Sequence, residues 1–235
     1  MSDYIYGRNS FIEALHQGRI VKAYVLKDAP YNAKLKKAQI PFEIKDRRFL
    51  DKLARGGNHQ GVVGETKPYP LSEVKDMLKE NNGLLVLLDG IKDPQNLGAI
   101  MRTVDCVGAD GVIYKKHNSV HLNSTVAKVS CGAIEYVKVA EVVNLTQTIK
   151  ELKKKGYWVV AADAGGTYSY EKMDYNMNIA LVIGAEGEGV SRLVKEECDF
   201  VVSLPMNGHL DSLNASVACG ILLYQILENR TYQHR

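Results

Sequence analysis

The sequence predicts an α/β protein: a large carboxyl-terminal part built on a mostly parallel sheet, preceded by a small α/β unit. Three observations predict it. Short apolar runs alternate with helical patterns along the chain, Lys67-Pro68-Tyr69-Pro70 separates two such series, and three segments rich in glycine and amide residues each follow an apolar run. Each proline removes a backbone donor and fixes φ, so the 67–70 stretch reads as a linker. At 235 residues, with 46% hydrophobic and 24% charged, the chain can bury one large or two modest cores.

In the first series, residues 4–6 are extended and residues 10–16 helical, with Ser10 and Glu13 spaced as a capping box. Residues 20–26 form a strand, 32–39 a helix, 42–44 a strand, 47–54 a helix behind a cap at Asp46, and 62–65 a strand. After the linker, residues 71–79 read as a joining helix and 84–88 as an apolar strand covered on both faces. Further strands fall at 111–114, 136–139, 157–161, 179–183 and 200–203. The clearest helix is 145–155, with Asn144 as its cap, lysines in its last turn and Gly156 as its stop. The expected division is therefore residues 1–66, a linker and joining helix at 67–82, and a larger domain at 83–235.

Charge is unevenly distributed. Residues 1–70 carry a net +6 and residues 71–235 a net −3. On charge alone this suits either a first part that meets a polyanion or a solvated lysine-rich face. No charged-then-apolar leader opens the chain and no apolar run approaches a membrane span, so a cytoplasmic protein is expected. Cys106, Cys131, Cys198 and Cys219 form no paired motif and read as reduced, buried residues. His117 and His121 lack a third ligand nearby, so no metal is expected.

Cofactor signatures of other classes fail. The glycines of Gly184-Ala185-Glu186-Gly187-Glu188-Gly189 run G-x-x-G-x-G, which is not the dinucleotide fingerprint, and no phosphate loop of the G-x-x-x-x-G-K type occurs. Ser212 has no nucleophile-elbow context. What remains are loops at the carboxyl ends of strands, where open α/β sheets gather ligands, with glycines that let the main chain come close to something flat and polar. Taken singly, Glu186 reads as a solvated turn residue, Asn96 as a helix cap and Arg102 as a surface arginine. The apolar neighbours Ala99, Ile100, Val104 and Cys106 make a buried first stretch of that helix the competing reading for Arg102, which would then need an anionic or oxygen-rich partner.

Three ordered segments then carry a resemblance: residues 93–103 (Asp-Pro-Gln-Asn-Leu-Gly-Ala-Ile-Met-Arg-Thr), 183–189 (Ile-Gly-Ala-Glu-Gly-Glu-Gly), and Leu204-Pro205-Met206 through Ser212-Leu213-Asn214-Ala215-Ser216-Val217-Ala218. They resemble the motifs of the SpoU branch of the SPOUT RNA ribose methyltransferases, over about residues 84–230. The first part, with Tyr6-Gly7-Arg8-Asn9, Glu13-Ala14-Leu15 and His59-Gln60-Gly61-Val62-Val63, is similar to the RNA-binding domain of members that methylate guanosine in large-subunit (23S) ribosomal RNA. The resemblance implies a deep trefoil knot in the carboxyl-terminal domain, S-adenosylmethionine as cofactor and a homodimer. It also implies a reaction site at Asn96, Arg102, Glu186, Ser212 and Asn214, and cofactor contacts at Ile183, Gly184, Gly187, Leu204, Met206, Ser212 and Leu213. Ala215 stands where many relatives have valine.

The reaction so implied moves a methyl group to a ribose 2′-oxygen of RNA. A guanidinium stays protonated, so Arg102 is expected to hold a phosphate or the developing alkoxide, with Asn96 and Glu186 fixing its fork and Ser212 and Asn214 orienting the ribose. Arg8, Arg47, Arg48 and Arg55 are the candidate RNA contacts of the basic first domain. Three alternatives stand beside this reading: a tRNA ribose methyltransferase, a non-catalytic RNA-binding assembly factor, and a dinucleotide oxidoreductase lacking its fingerprint.

Overall fold

The computed structural model describes residues 3–232, so the outer limits expected for the two domains, residues 1 and 235, lie outside the described residues. The chain divides into two compact units. One runs to Pro70 and takes in Leu122–Tyr136, and the other comprises Leu71–His121 and the chain from Val137 onward. The expected division did not foresee that residues 122–136 pack with the first unit.

The first unit carries β1 (Asp3–Tyr6), α1 (Arg8–His16), β2 (Ile20–Val25), α2 (Asn32–Lys37), β3 (Phe42–Ile44), α3 (Arg47–Leu53) and β4 (Val62–Thr66). Its sheet has the order β1-β4-β2-β3; β4 runs antiparallel to both β1 and β2, and β2 and β3 are parallel. Asp46 caps α3 as expected, accepting from the Phe49 amide at 2.8 Å. The Ser10–Glu13 capping box does not form. Helix α1 already begins at Arg8, and the buried Ser10 hydroxyl donates to the Ala127 carbonyl at 2.9 Å instead.

That bond belongs to the docking of residues 122–136. Here the first unit receives the fifth helix, α5 (Ser124–Val129), capped by the Asn123 carboxamide. Arg19 pairs with Glu135 through Nε at 2.6 Å and Nη2 at 3.0 Å, the two side chains being 8% and 1% exposed. The Tyr69 ring lies 3.7 Å from the Arg19 guanidinium carbon, and Lys67 offers its carbonyl to Nη1. A forked, stacked arginine of this kind is the arrangement that lets an ion pair be buried.

The second unit starts with a single 3-10 turn at Val74–Met77 where a longer joining helix was expected. It continues with β5 (Leu84–Asp89), α4 (Pro94–Val107), β6 (Gly111–Lys115), β7 (Val139–Val142), α6 (Leu145–Lys154), β8 (Trp158–Ala162), β9 (Tyr168–Ser169), β10 (Ile179–Gly184), α7 (Arg192–Lys195), β11 (Phe200–Ser203) and α8 (Ala215–Tyr232). The strand order is β7-β6-β5-β10-β8-β11-β9, and every pairing is parallel. Strand β7 starts at Val139, three residues later than expected, because residues 133–135 form a 3-10 turn within the first unit.

Strands β5 and β10 are buried along their full length, as a continuous apolar run requires of a sheet covered on both faces. Leu85, Leu87, Ala180 and Val182 pack with Leu145, Ile149 and Leu152 of α6, while α4 and α8 pack against each other and lie against β6 and β10. Cys219 is buried and Cys131 and Cys198 are half-buried, but Cys106, expected inside, is exposed on the outer side of α4. Among the described residues no helix is long and apolar enough to cross a membrane.

Near its carboxyl end α8 is latched to the sheet. Arg230 donates to four carbonyls: Tyr175 at 3.0 Å, Asn82 at 2.8 Å, Gly83 at 3.1 Å and Met177 at 2.7 Å. Removing a charged donor that satisfies buried acceptors leaves them desolvated. Arg230→Ala is expected to lower unfolding stability by about 2–3 kcal/mol, with Arg230→Lys intermediate, as measured by denaturant titration.

Candidate active site

Three loops at the carboxyl ends of β5, β10 and β11 meet. Asp93 opens α4 by accepting from the Gln95 amide at 2.9 Å, which places Asn96 in the first turn, 7% exposed. Asn214 opens α8, its Oδ1 accepting from the Ser216 amide at 2.9 Å and the Ser216 hydroxyl at 2.6 Å. The Asn214 carboxamide nitrogen donates to Asn96 Oδ1 at 2.8 Å and to Glu186 Oε2 at 3.4 Å, and Asn96 Nδ2 donates to the same Glu186 oxygen at 3.4 Å. Three residues separated by 90 and 118 positions thus form one polar cluster.

Glu186 also stands on the wall of a cavity of about 410 Å3. All seven positions expected at a cofactor, Ile183, Gly184, Gly187, Leu204, Met206, Ser212 and Leu213, line it. The loop 185–190 returns tightly on β10. A Cβ on Gly184 would lie 2.1 Å from the Gly189 carbonyl carbon and 2.3 Å from the Val190 nitrogen, so only glycine fits there. The return is fastened by Asp89, which pairs with Lys115 at 2.6 Å and accepts from the Ser191 amide at 2.8 Å. Burial would raise the Asp89 carboxyl, but Lys115 and Ser191 outweigh it and hold it below the usual value.

Sequence reasoning missed Asp163 and Lys195, which line the same cavity and pair at 2.6 Å. Burial would raise Asp163 too, yet Lys195 and the Gly165 and Val190 amides keep it low. The available signal was positional: Asp163 is the first residue past β8, the strand beside β10.

Ser212 lines the cavity on an exposed loop, its hydroxyl donating to Asp211 at 3.4 Å. Arg102 corrects an expectation. Its side chain is exposed rather than buried, while Asn96 and Glu186 bond each other and Asn214. The helical period explains it: Leu97, Ile100, Met101 and Val104 take the buried face, leaving Arg102 on the outer side with Asp105 and Cys106. Arg8, Arg47, Arg48 and Arg55 are all exposed in the first unit. His121 bonds Glu141 at 3.1 Å, and among the described residues no cluster of His, Cys, Asp and Glu could hold a metal.

A parallel α/β unit whose strand-end loops close a small cavity beside an amide–carboxylate cluster belongs to the class of α/β enzymes that bind a small cofactor there. Two family models match: the SpoU rRNA Methylase family over residues 83–224 and RNA 2'-O ribose methyltransferase substrate binding over residues 4–72. The chain therefore belongs to the SpoU methylase family of RNA methyltransferases.

It is 45% identical over 242 residues to the Bacillus subtilis (strain 168) protein named "Putative TrmH family tRNA/rRNA methyltransferase YacO", covering 97% of this chain and 96% of that protein. A Staphylococcus haemolyticus (strain JCSC1435) relative bearing the same family name is 43% identical, covering 96% and 95%. Among solved structures, an AdoMet-bound rRNA methyltransferase from Sinorhizobium meliloti matches with a TM-score of 0.85 at 26% identity, covering 98% of this chain and 88% of that one. The SpoU methyltransferase AviRb from Streptomyces viridochromogenes, in complex with AdoMet, shares the fold with a TM-score of 0.87 at 22% identity, covering 98% and 91%.

Asp89 and Asp163 have depressed folded-state values, so their stabilisation is present above the unfolded aspartate value of about 3.9 and is lost as pH falls through the lower folded values. Unfolding free energy measured against pH is expected to drop across that acid window, with a shallower drop in Asp89→Asn.

Proposed function

We propose that the protein uses S-adenosylmethionine to methylate a ribose 2′-oxygen of 23S ribosomal RNA, at a guanosine. The observation that carries this reading is the joining of Asn96, Glu186 and Asn214 at the edge of the cavity that holds all seven expected cofactor positions. The cavity suits the cofactor chemically. Apolar Ile183, Val202, Leu204, Met206 and Leu213 match an adenine and a thioether chain, and Asp163, Glu186, Glu188 and Asp211 outnumber Lys195, which favours a cationic sulfonium. When bound, S-adenosylmethionine supplies an electrophilic methyl group.

The protein's own residues position and polarise. Asn214 holds Asn96 and Glu186 in one arrangement while capping α8, so the cluster is rigid before RNA arrives. Arg102 lies six residues past Asn96 on α4, about 9 Å along the helix, and is exposed. There it meets the RNA backbone and stabilises the developing alkoxide, and the hydroxyl proton leaves to water. Ser212 faces the cavity and orients the ribose. Arg8, Arg47, Arg48 and Arg55 supply phosphate attraction from the basic first unit.

The guanosine and ribosomal preference rests on the likeness of the first unit's residues to members acting there; a tRNA target is the second reading, favoured by the tRNA/rRNA naming of the relatives. A deep trefoil knot in the second unit, a homodimer and a cytoplasmic location belong to the same proposal. For the dimer, Val217, Ile221 and Tyr224 make a stripe on α8, 49%, 38% and 54% exposed, at the spacing of one helix face.

Mapping 2′-O-methyl positions across total RNA from cells with and without the protein tests the reading: one ribosomal guanosine is expected to lose its mark, and loss at a tRNA position instead transfers the assignment to tRNA. Arg102→Ala and Arg102→Lys are each expected to reduce methyl transfer at saturating RNA by about 100-fold or more. Near-normal turnover of the lysine variant would remove the forked role. Ile221→Glu is expected to halve the mass seen by light scattering. Deleting residues 1–66 is a poor test of RNA delivery, since it strips Arg19 and Ser10 from Glu135 and Ala127; charge reversal at the four arginines is the cleaner one.

A further inference from the structure

The first unit has a cavity of its own, about 740 Å3, at the carboxyl ends of the parallel neighbours β2 and β3. Its size falls in the range of small-ligand pockets, and its place is the ligand end of parallel strands. Residues 26–30, 45–47 and 56–61 form it. The last of these loops is held in an uncommon backbone state: Arg55 and Gln60 both have φ of 51°, and Gly56 and Gly61 have 78° and 85°.

Left-handed non-glycine residues persist only where their surroundings over-determine them, and here the bracing is visible. His59, 4% exposed, accepts from the Gly61 amide at Nδ1 (3.0 Å) and donates from Nε2 to Asp51 (3.1 Å). The Gln60 carboxamide oxygen accepts from the Arg8 amide at 2.9 Å and Lys128 at 3.0 Å, and the Leu26 amide donates to the Gly61 carbonyl at 3.0 Å. The wall is therefore formed before any ligand arrives.

The groups it presents are mixed in charge. Lys27, Lys45 and Arg47 face Asp28, Asp46 and Asp51 around the cavity. Lys45 is paired with Glu43 at 2.7 Å, Asp46 caps α3 and Asp51 serves His59, whereas Lys27, Asp28, Arg47 and Asn58 are exposed and bond no other side chain among the described residues. A simple anion would meet as many carboxylates as cations. A nucleotide needs both kinds of group, since its base edge carries N–H donors and its two phosphates carry charge.

We infer that this cavity takes one unpaired nucleotide of the RNA substrate, its base edge on Asp28 and Asn58 and its flanking phosphates on Lys27 and Arg47. A carboxylate pairs best with two adjacent donors, and guanine alone presents them, at N1 and N2. Asp28 thereby selects guanine at a recognition position read by the first unit. The inference rests on the RNA-methyltransferase reading and adds a base-specific contact to it.

The test uses the full chain, with short fluorescent single-stranded RNAs of oligoadenylate with and without one central guanosine, binding being followed by anisotropy across a salt series. The wild type is expected to prefer the guanosine-bearing RNA by about tenfold, and Asp28→Asn to lose that preference. Arg47→Ala is expected to weaken both RNAs alike and to lower the salt slope by about one. Both residues are exposed, so neither variant threatens folding. A wild type indifferent to guanosine, or variants that keep its preference and slope, overturns the inference. Methyl transfer to ribosomal RNA measured alongside separates the two readings: if the wild type transfers none, both fall, and if it transfers normally while binding ignores the cavity, only this one does.

Discussion

The site depends on one steric constraint, the passage of the chain over Gly184. Its missing side chain lets the backbone at Gly189 and Val190 lie where a Cβ would stand, which is how the 185–190 loop returns to the end of β10. From that return come the position of Glu186 on the cavity wall and its reach to Asn96 and Asn214. Asp89, opposite Gly184 in the pairing of β5 with β10, fastens the far end of the same return through Ser191. Overpacking at such a point forces backbone shifts, so the cavity and the polar cluster stand or fall together.

A second principle is the double use of capping groups. Asn214 closes the amino end of α8 with its oxygen and organises Asn96 and Glu186 with its nitrogen. Asp46 caps α3 with one carboxylate oxygen while standing on the wall of the first unit's cavity. In both units a polar group beside a cavity is thus anchored by the backbone it terminates, and groups so held have little freedom left to lose.

Much of this was legible because strand-end loops announce themselves. The three glycine- and amide-rich segments follow apolar runs, and in a parallel sheet those ends face the same way, so it follows from topology that two of them line one cavity and the third meets them through Asn96. The strands β5, β6, β8, β10 and β11 were likewise visible as apolar runs. Short elements were not: β9 has two residues and α7 four, too few to show a period. Ser10 read as a cap because a hydroxyl three residues before a glutamate is a local signal, whereas its partner Ala127 lies 117 residues away. Arg102 was misplaced inward because apolar neighbours in sequence were taken for neighbours in space, while a helix turns every residue by about 100°. Asp163 and Lys195 carried no motif at all.

The docking of residues 122–136 has a consequence for how the molecule can be divided. The backbone passes between the units at three places, after Pro70, after His121 and after Tyr136. A protease that nicks the proline stretch therefore cuts the first 70 residues free of the covalent chain, and the two fragments stay together only through the non-covalent packing of residues 122–136, with Arg19 on Glu135 and Ser10 on Ala127. No contiguous gene segment encodes either unit whole, so exchange of the basic unit between relatives by end-to-end fusion would import a body lacking the helix and carboxylate that complete it.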